Sequence, residues 1–508
     1  MKRAPNVAVA GIAIDCGSPQ PLVEQLYGSL REAILSGQLR PGARLPATRV
    51  LAQEIGVSRN TAVSAFEQLA MEGYLNARIG SGTRVASSLP DELLSVRAHC
   101  EPRCTVNSGI RLSQRGRDLA SSPVRILSVP GRPRPFASGH PDVTEFPLNI
   151  WSTLAARRWR SGSRDLLTYG DPAGYRPLRE AIADYVRTAR AVRCETEQIV
   201  IVSGSQQAID LLARLLLDSG DVVLVEDPGY LGARFAFRAA GACVIPLPVD
   251  DEGADINDVR HNRRRIRLAF VTPSHQYPLG VTMTLQRRLA LLEWARQQDA
   301  FILEDDYDSD YRYRARPLPS LQGLDNARRV IYMGSFSKTI LPSLRLGFLV
   351  LPGNLVAPFR RARAVLDGHS PTPYQAVLAD FIVEGHFARH IRRMRSLYEE
   401  RQSALVEAVH RDLNGLLEVS RSDGGMHLVG WLPPGISDRG ASRVAETHDV
   451  YASPLSACAF GRLKRGGLLL GFAAFSPRHI HEGVRRLAAA LEGAKKRKPR
   501  NALTVQPY

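Results

Sequence analysis

The sequence predicts an α/β protein that carries a small helical head, and three observations predict it. From Asp142 to about Lys495, amphipathic helical patterns alternate with short β-branched runs, the signature of a mostly parallel sheet covered by helices. Ahead of this, residues 21 to 71 carry apolar faces at helical spacing, interrupted by a short Gly-containing turn. Between the two, from about Ala86 to Arg134, periodicity fades and Ser, Pro and Arg accumulate. A chain of 508 residues has room for two or three domains. Its 44% hydrophobic and 23% charged residues are an ordinary globular composition, and no apolar run is long enough for a membrane span. Six scattered cysteines fit a reducing cytoplasm; Cys100 and Cys104 are a loose pair with no second pair to complete a zinc site. The net charge of +17 points toward a polyanionic partner.

In chain order, residues 1–18 hold a short apolar run closed by Asp15 and read as a flexible N-terminal arm rather than a signal peptide. Leu22, Leu26, Leu30 and Ile34 give a helix from Pro21 to about Ser36, ended by Gly37 and Pro41-Gly42. Thr48 is placed to cap a short helix through Ile55, with Gly56 as terminator. Ser58 then caps a second helix whose apolar face is Val63, Phe66, Leu69 and Ala70. Helix, short turn, helix is a DNA-reading arrangement, and Arg59, Asn60 and Thr61 in the first turn are types that bond bases and phosphates. The piece LNARIGSGTRVA reads as a hairpin wing turning at Gly80-Ser81-Gly82, with Arg78 and Arg84 on it. A three-helix interaction domain is the blander alternative.

The segment RPGARLPATRVLAQEIGVSRNTA resembles the winged helix-turn-helix of GntR-type bacterial regulators. The resemblance implies contacts to double-stranded DNA from Arg44, Arg49, Ser58, Arg59, Asn60, Thr61 and wing residues such as Gly82. The DNA-binding head is assigned to residues 19–87 and a tethering linker to 88–133.

In the α/β part, the buried-strand run Ile199–Val202 turns through Ser203-Gly204-Ser205-Gln206-Gln207 into a helix, whose free N–H groups form a seat for phosphate. Tyr230 follows the strand DVVLVE, and His275 follows IRLAFV, each at the strand end where open sheets bind ligands. Tyr230 could stack on a ring or pack in the core, and a lone histidine such as His275 could equally be structural. The strand ending at Glu304 runs into Asp305-Asp306-Tyr307-Asp308. The strand Val330–Met333 runs into GSFSKTILPSLRLGF, with Ser335, Ser337, Lys338 and Arg345. A lysine beside a packed strand is desolvated, which lowers its pKa and makes it a nucleophile able to form a Schiff base. Arg345 offers a planar fork for a phosphate. An aldehyde carrying a phosphate, pyridoxal phosphate (PLP), suits these groups together. Asp305 is then placed to keep a pyridine nitrogen protonated and Tyr307 to bond the phenolic oxygen.

The ordered motifs YGDPAGYRPLREAIADY, VSGSQQAIDLL, EDPGY, TPSHQYPLG, EDDYDSDYRY and SFSKTILPSLRLGF resemble fold-type-I aminotransferases of class I. With the GntR-type head, the chain resembles a MocR/GabR-type regulator over residues 19 to 493. The resemblance implies that Lys338 bonds PLP, that Asp305 pairs with the ring nitrogen and that Tyr307 contacts the ring hydroxyl. Tyr230 would stack on the ring, and Ser205, Gln206, Ser335, Ser337 and Arg345 would hold the phosphate. Tyr169 matches the tyrosine that reaches across a homodimer to that phosphate, and His275, a further implied cofactor contact, stands where aminotransferases usually carry an asparagine. This PLP-binding effector domain is assigned to residues 134–495 and a basic, disordered tail to 496–508. One departure stands out: Leu469, in GGLLLGFAAF, takes the place of the arginine that grips a substrate carboxylate, and the spacing of Arg462, Arg465 and Arg478 gives no substitute. The expectation is a cytoplasmic PLP-dependent transcriptional regulator that senses a small amine, an amino acid or PLP itself. An active aminotransferase with a DNA-binding head is the alternative.

Overall fold

A computed structural model of the chain describes residues 14–15, 17–78, 82–89, 111–120, 134–259, 264–313 and 318–496. The wing turn at residues 79–81, the pair Cys100 and Cys104, and nearly all of the arm (1–18) and the tail (496–508) lie outside them. The polypeptide divides into two compact units, Met1–Arg111 and Leu112–Tyr508. That division falls inside the stretch read as a linker. The linker stretch also holds a helix, Gln114–Ala120, which the aperiodic sequence did not signal; it lies against the helix Leu231–Ala239 of the second unit.

The first unit is built from helices α1 (Leu22–Leu35), α2 (Thr48–Ile55) and α3 (Arg59–Met71) and from antiparallel strands β1 (Leu75–Arg78) and β2 (Gly82–Val85). Ser58 caps α3: the Thr61 N–H donates to its hydroxyl at 3.1 Å. The cap of α2, by contrast, is Ala47, with Thr48 the first helical residue. Thr48 was expected to cap, but the extended conformation that precedes a helix sits one residue earlier, on a side chain with no acceptor. Gly56 ends α2 at φ +79, a left-handed turn that glycine adopts without strain. The core is Leu26, Leu30 and Ile34 of α1 packed with Leu51, Ala62, Ala65, Phe66 and Leu69. The buried face of α3 is therefore centred on Ala62, Ala65 and Leu69; Val63 and Ala70 are only half-buried, because small alanines let the helices approach on that side.

The second unit has an eight-stranded sheet. Its strands are β3 (Ile199–Val202), β4 (Val222–Asp227), β5 (Cys243–Asp250), β6 (Gly253–Ala254), β7 (Ile266–Val271), β8 (Phe301–Asp306), β9 (Val330–Ser335) and β10 (Gly347–Val350). The order across the sheet is β3-β10-β9-β8-β7-β4-β5-β6. Strands β9, β8, β7, β4 and β5 run parallel, while β10 is antiparallel to both β9 and β3, which leaves β3 parallel to the rest. The carboxyl ends of β3, β4, β7, β8 and β9 thus share one edge of the sheet, where open α/β sheets place their ligands. Runs such as Ile199–Val202 are buried throughout because helices cover both faces. A smaller antiparallel sheet follows the long helix His386–Asp412: β11 (His427–Trp431), β12 (Ser453–Pro454) and β13 (Gly467–Gly471), in the order β11-β13-β12. Among the described residues no helix is long and apolar enough to cross a membrane.

Nothing lies within 4 Å of a Cβ added at Gly56, so Gly56→Ala should strain the backbone alone and cost about 1 kcal/mol. Leu30→Ala, which empties a fully buried position, should cost about 2–5 kcal/mol. Urea titration read by hydrogen exchange at the amides of α1 to α3 checks both and their order.

Candidate functional site

The carboxyl edge of the large sheet opens into a cavity of about 770 Å³. Ser205, Gln206, Tyr230, Asp305, Tyr307, Ser335, Ser337, Lys338 and Arg345 all line it. Two residues singled out from the sequence do not. Tyr169 is 98% exposed, with the His369 ring edge-on to it. His275 stands behind Tyr307, its Nδ1 3.0 Å from the Tyr307 hydroxyl, and so is not a direct wall of the cavity.

Each lining residue is placed by its strand end. Gly204, at φ +91, lets the chain turn from β3 into the helix Ser205–Leu216, so that the helix N-terminus faces the cavity. A Cβ on Gly204 would lie 3.1 Å from Arg345 Nη2, so glycine also makes room for the guanidinium. Arg345 itself has φ +49 and donates from Nη2 to the Ser203 carbonyl at 3.0 Å. Lys338 donates from Nζ to the Gly139 carbonyl at 2.6 Å. Burial pushes the Lys338 amine below the usual lysine range, against the pull of Asp308 and Asp305.

The acidic end of β8 alternates in direction, as successive strand residues do. Glu304 accepts from the Leu321 and Gln322 N–H groups at 2.8 and 2.9 Å. Asp306 accepts from Arg190 at 2.7 Å and from the Tyr332 hydroxyl at 2.5 Å. Asp305, between them, points to the cavity, and its buried Oδ1 has no hydrogen-bond partner among the described residues. Burial, reinforced by Asp306 and Asp308, pushes its carboxyl up to about 8.

Several lining residues escaped the sequence reading. Ser138, Gly139 and His140 arrive from a stretch 199 positions from Lys338 in the chain, and no local pattern announces such a contact. Tyr277 lines the cavity where His275 was expected to. From the smaller sheet and its helix come His427, Leu469, Arg439 and Arg443. Leu469 is an apolar wall. Arg465 is engaged with Glu418 at 2.7 Å, and neither it, Arg462 nor Arg478 lines the cavity. Arg439 donates to the Ser456 hydroxyl at 3.3 Å, and Arg443, one helical turn on, donates to the Arg439 carbonyl at 3.4 Å. They are the guanidinium groups of this side.

On the head, Arg49, Ser58, Arg59, Asn60 and Gly82 are exposed, and Arg44 and Thr61 are half-buried. The Ser58 hydroxyl is occupied by the cap and by the Thr61 hydroxyl at 2.8 Å.

Residues 136–487 match the family described as aminotransferase class I and II, and residues 22–85 match the bacterial regulatory proteins of the gntR family. The chain is 43% identical over 480 residues to the probable rhizopine catabolism regulatory protein MocR of Rhizobium meliloti, covering 94% of this chain and 95% of that one. The chain belongs to the MocR-type regulators. It is also 33% identical to the pyridoxine biosynthesis transcriptional regulator PdxR of Corynebacterium glutamicum, over 82% of this chain and 85% of the relative. Among solved structures, α-aminoadipate aminotransferase LysN of Thermus thermophilus, complexed with N-(5'-phosphopyridoxyl)-L-leucine, superimposes with a TM-score of 0.66 at 33% identity, covering 71% of this chain and 92% of the enzyme. The cofactor of this aminotransferase fold is PLP. The residues present fit it: an unpartnered buried acid for a pyridinium N–H, a desolvated amine for the aldehyde, and a helix N-terminus beside an arginine for the phosphate. A gntR-family head binds DNA, and this regulator carries one.

Buried carboxyls give a pH signature. Burial holds Glu226 and Glu304 up to about 7, and Asp305 up to about 8. A carboxyl whose folded pKa is raised contributes stability below its unfolded pKa, and that contribution is lost as pH rises through the folded value. The melting temperature of the cofactor-free protein should therefore fall between about pH 5 and 8, and Asp305→Asn should flatten the upper part of that fall. Calorimetry across the range checks the slope.

Proposed function

We propose that Lys338 holds PLP in this cavity, that the unit senses a small primary amine or PLP itself, and that occupancy sets how the head binds its operator. The observation that carries this is the meeting, in one cavity, of the Asp305 oxygen without a donor and the desolvated Lys338 amine, with Arg345 lining the same cavity. Asp305 would keep the pyridine nitrogen protonated, Tyr307 would bond the phenolic oxygen, and Tyr230 would face the ring. Ser205, Gln206, Ser335, Ser337 and Arg345 would take the phosphate. When bound, PLP supplies an aldehyde carbon that primary amines bond covalently. Lys338 and an effector amine would compete for that carbon, and a freed lysine would have the Gly139 carbonyl as acceptor. Such competition shifts the regulator only as far as the effector prefers one of its states.

Leu469 supports sensing over turnover of ordinary amino acids, because an apolar wall offers no bidentate grip on an α-carboxylate. The exposed Tyr169 ring supports a homodimer in which it reaches the phosphate of the partner's site. Paired heads would then read paired half-sites in the cytoplasm. Arg44, Arg49, Ser58, Arg59, Asn60, Thr61 and Gly82 would meet the DNA.

Visible absorption of the purified protein with a panel of amines tests the reading. A band that shifts and stays shifted supports the sensor. A band that bleaches and returns with a keto acid supports an active aminotransferase instead. Lys338→Ala should lose borohydride-fixed cofactor, checked by peptide mapping. Arg59→Ala should weaken operator binding by about 1–3 kcal/mol and lower its salt dependence, checked by titrations at several salt concentrations.

A further inference from the structure

Tyr307 lines the cofactor cavity, whereas the next residue, Asp308, is 1% exposed and turns to His275. The His275 Nδ1 is 3.0 and 3.1 Å from the two Asp308 oxygens and 3.0 Å from the Tyr307 hydroxyl. A carboxylate oxygen only accepts, so the hydrogen between Asp308 and the ring belongs to Nδ1. With Nδ1–H as the donor on that side, the Tyr307 oxygen accepts, and its own hydrogen is left to point elsewhere. What Tyr307 faces elsewhere is the cavity.

We propose that His275 is a positioning residue: supported by Asp308, it fixes Tyr307 as a hydrogen-bond donor toward the phenolic oxygen of PLP. The geometry around the ring serves that end. A Cβ on Gly425, at φ +88, would come within 2.1 Å of His275 Cε1, and one on Gly280, at φ +76, within 3.2 Å of Nε2. Two glycines therefore leave room for the imidazole. The buried Nε2 has no partner among the described residues, so the ring is anchored through Nδ1 alone. The other titratable ring against it is His427 of β11, with centroids 5.7 Å apart. Burial and His275 lower the His427 pKa to about 4, and its Nε2 is 3.0 Å from the Pro278 carbonyl. His427 thus remains neutral and supplies no competing charge. The remaining titratable groups toward Tyr307 are Tyr277, Asp305, which faces the cavity, and the buried Glu226 of β4.

This inference rests on PLP occupying the cavity. A hydrogen bond donated to an anionic oxygen favours its deprotonated form, so Tyr307 as donor lowers the pH at which the bound chromophore titrates. The test is a pH titration of the visible absorption of the PLP-loaded protein. In His275→Phe the midpoint should rise by about one pH unit, a tenfold change in proton affinity, because no donor then holds the Tyr307 oxygen as an acceptor with its hydrogen toward the cavity. His275→Asn places an amide N–H where Nδ1 stood and should keep the wild-type midpoint, whereas His275→Gln, with its amide at the Nε2 end, should behave like Phe. In a Tyr307→Phe background, His275→Phe should move the midpoint no further. Equal midpoints in wild type and the Phe or Gln variants would overturn the proposal, as would equal shifts in Asn and Gln or a further shift in the double variant. If the Phe variant fails to hold PLP, the Asn and Gln pair carries the comparison. A wild-type protein with no visible band would overturn the cofactor reading and this proposal together. A band indifferent to residue 275 would overturn the proposal alone.

Discussion

Four carboxyl groups crowd into the end of one strand, at Glu304, Asp305, Asp306 and Asp308, and each is buried. Burying charge or polarity without a partner costs several kcal/mol, so the surrounding structure is arranged to answer them. Glu304 is answered by the N–H groups of a short helix, Asp306 by Arg190 and Tyr332, and Asp308 by His275. Arg190 in turn ties Ser274 and the Leu318 carbonyl to the same point, so the turns after β7 and β8 are fixed together. Asp305 and Asp306 each keep one oxygen unanswered among the described residues, and of the four acids it is Asp305 that lines the cavity.

The two sides of the cavity differ in what they specify. The large sheet supplies groups suited to the invariant parts of a cofactor: ring nitrogen, phenolic oxygen, aldehyde and phosphate. The smaller sheet and its helix supply Leu469, Arg439 and Arg443 to the same cavity. That side is therefore an apolar wall with two guanidiniums on a helix, distinct in shape and charge from the sheet side.

Much of this was legible in the sequence. The strand runs Ile199–Val202 and Val330–Met333 announce buried parallel strands by composition, and the small residues and functional groups following them are local. Local signals found Asp305, Tyr307, Lys338 and Arg345 because each sits within a few residues of a strand end. Gly139, His140, Arg439 and Arg443 come from remote segments whose own periodicity describes a loop and a surface helix, so nothing local marks them. His275 shows the limit differently. Its strand-end position is correct, but the two-residue offset between His275 and Tyr277 decides which one faces the cavity, and only the folded turn fixes that. In the head, the cap of α2 slipped by one residue to Ala47 for the same reason: hydroxyl residues mark a boundary, while backbone conformation sets it.

The packing of Gly425 against the His275 ring carries a consequence for how this chain tolerates change. Residue 425 is outside the cavity lining, yet any side chain there must displace the imidazole, and the imidazole stands against Tyr307. A Cβ at Gly280 would also crowd the ring, at 3.2 Å from Nε2. A lone change at either glycine would register as an altered cofactor environment, although neither position lies on the wall that the cofactor would touch.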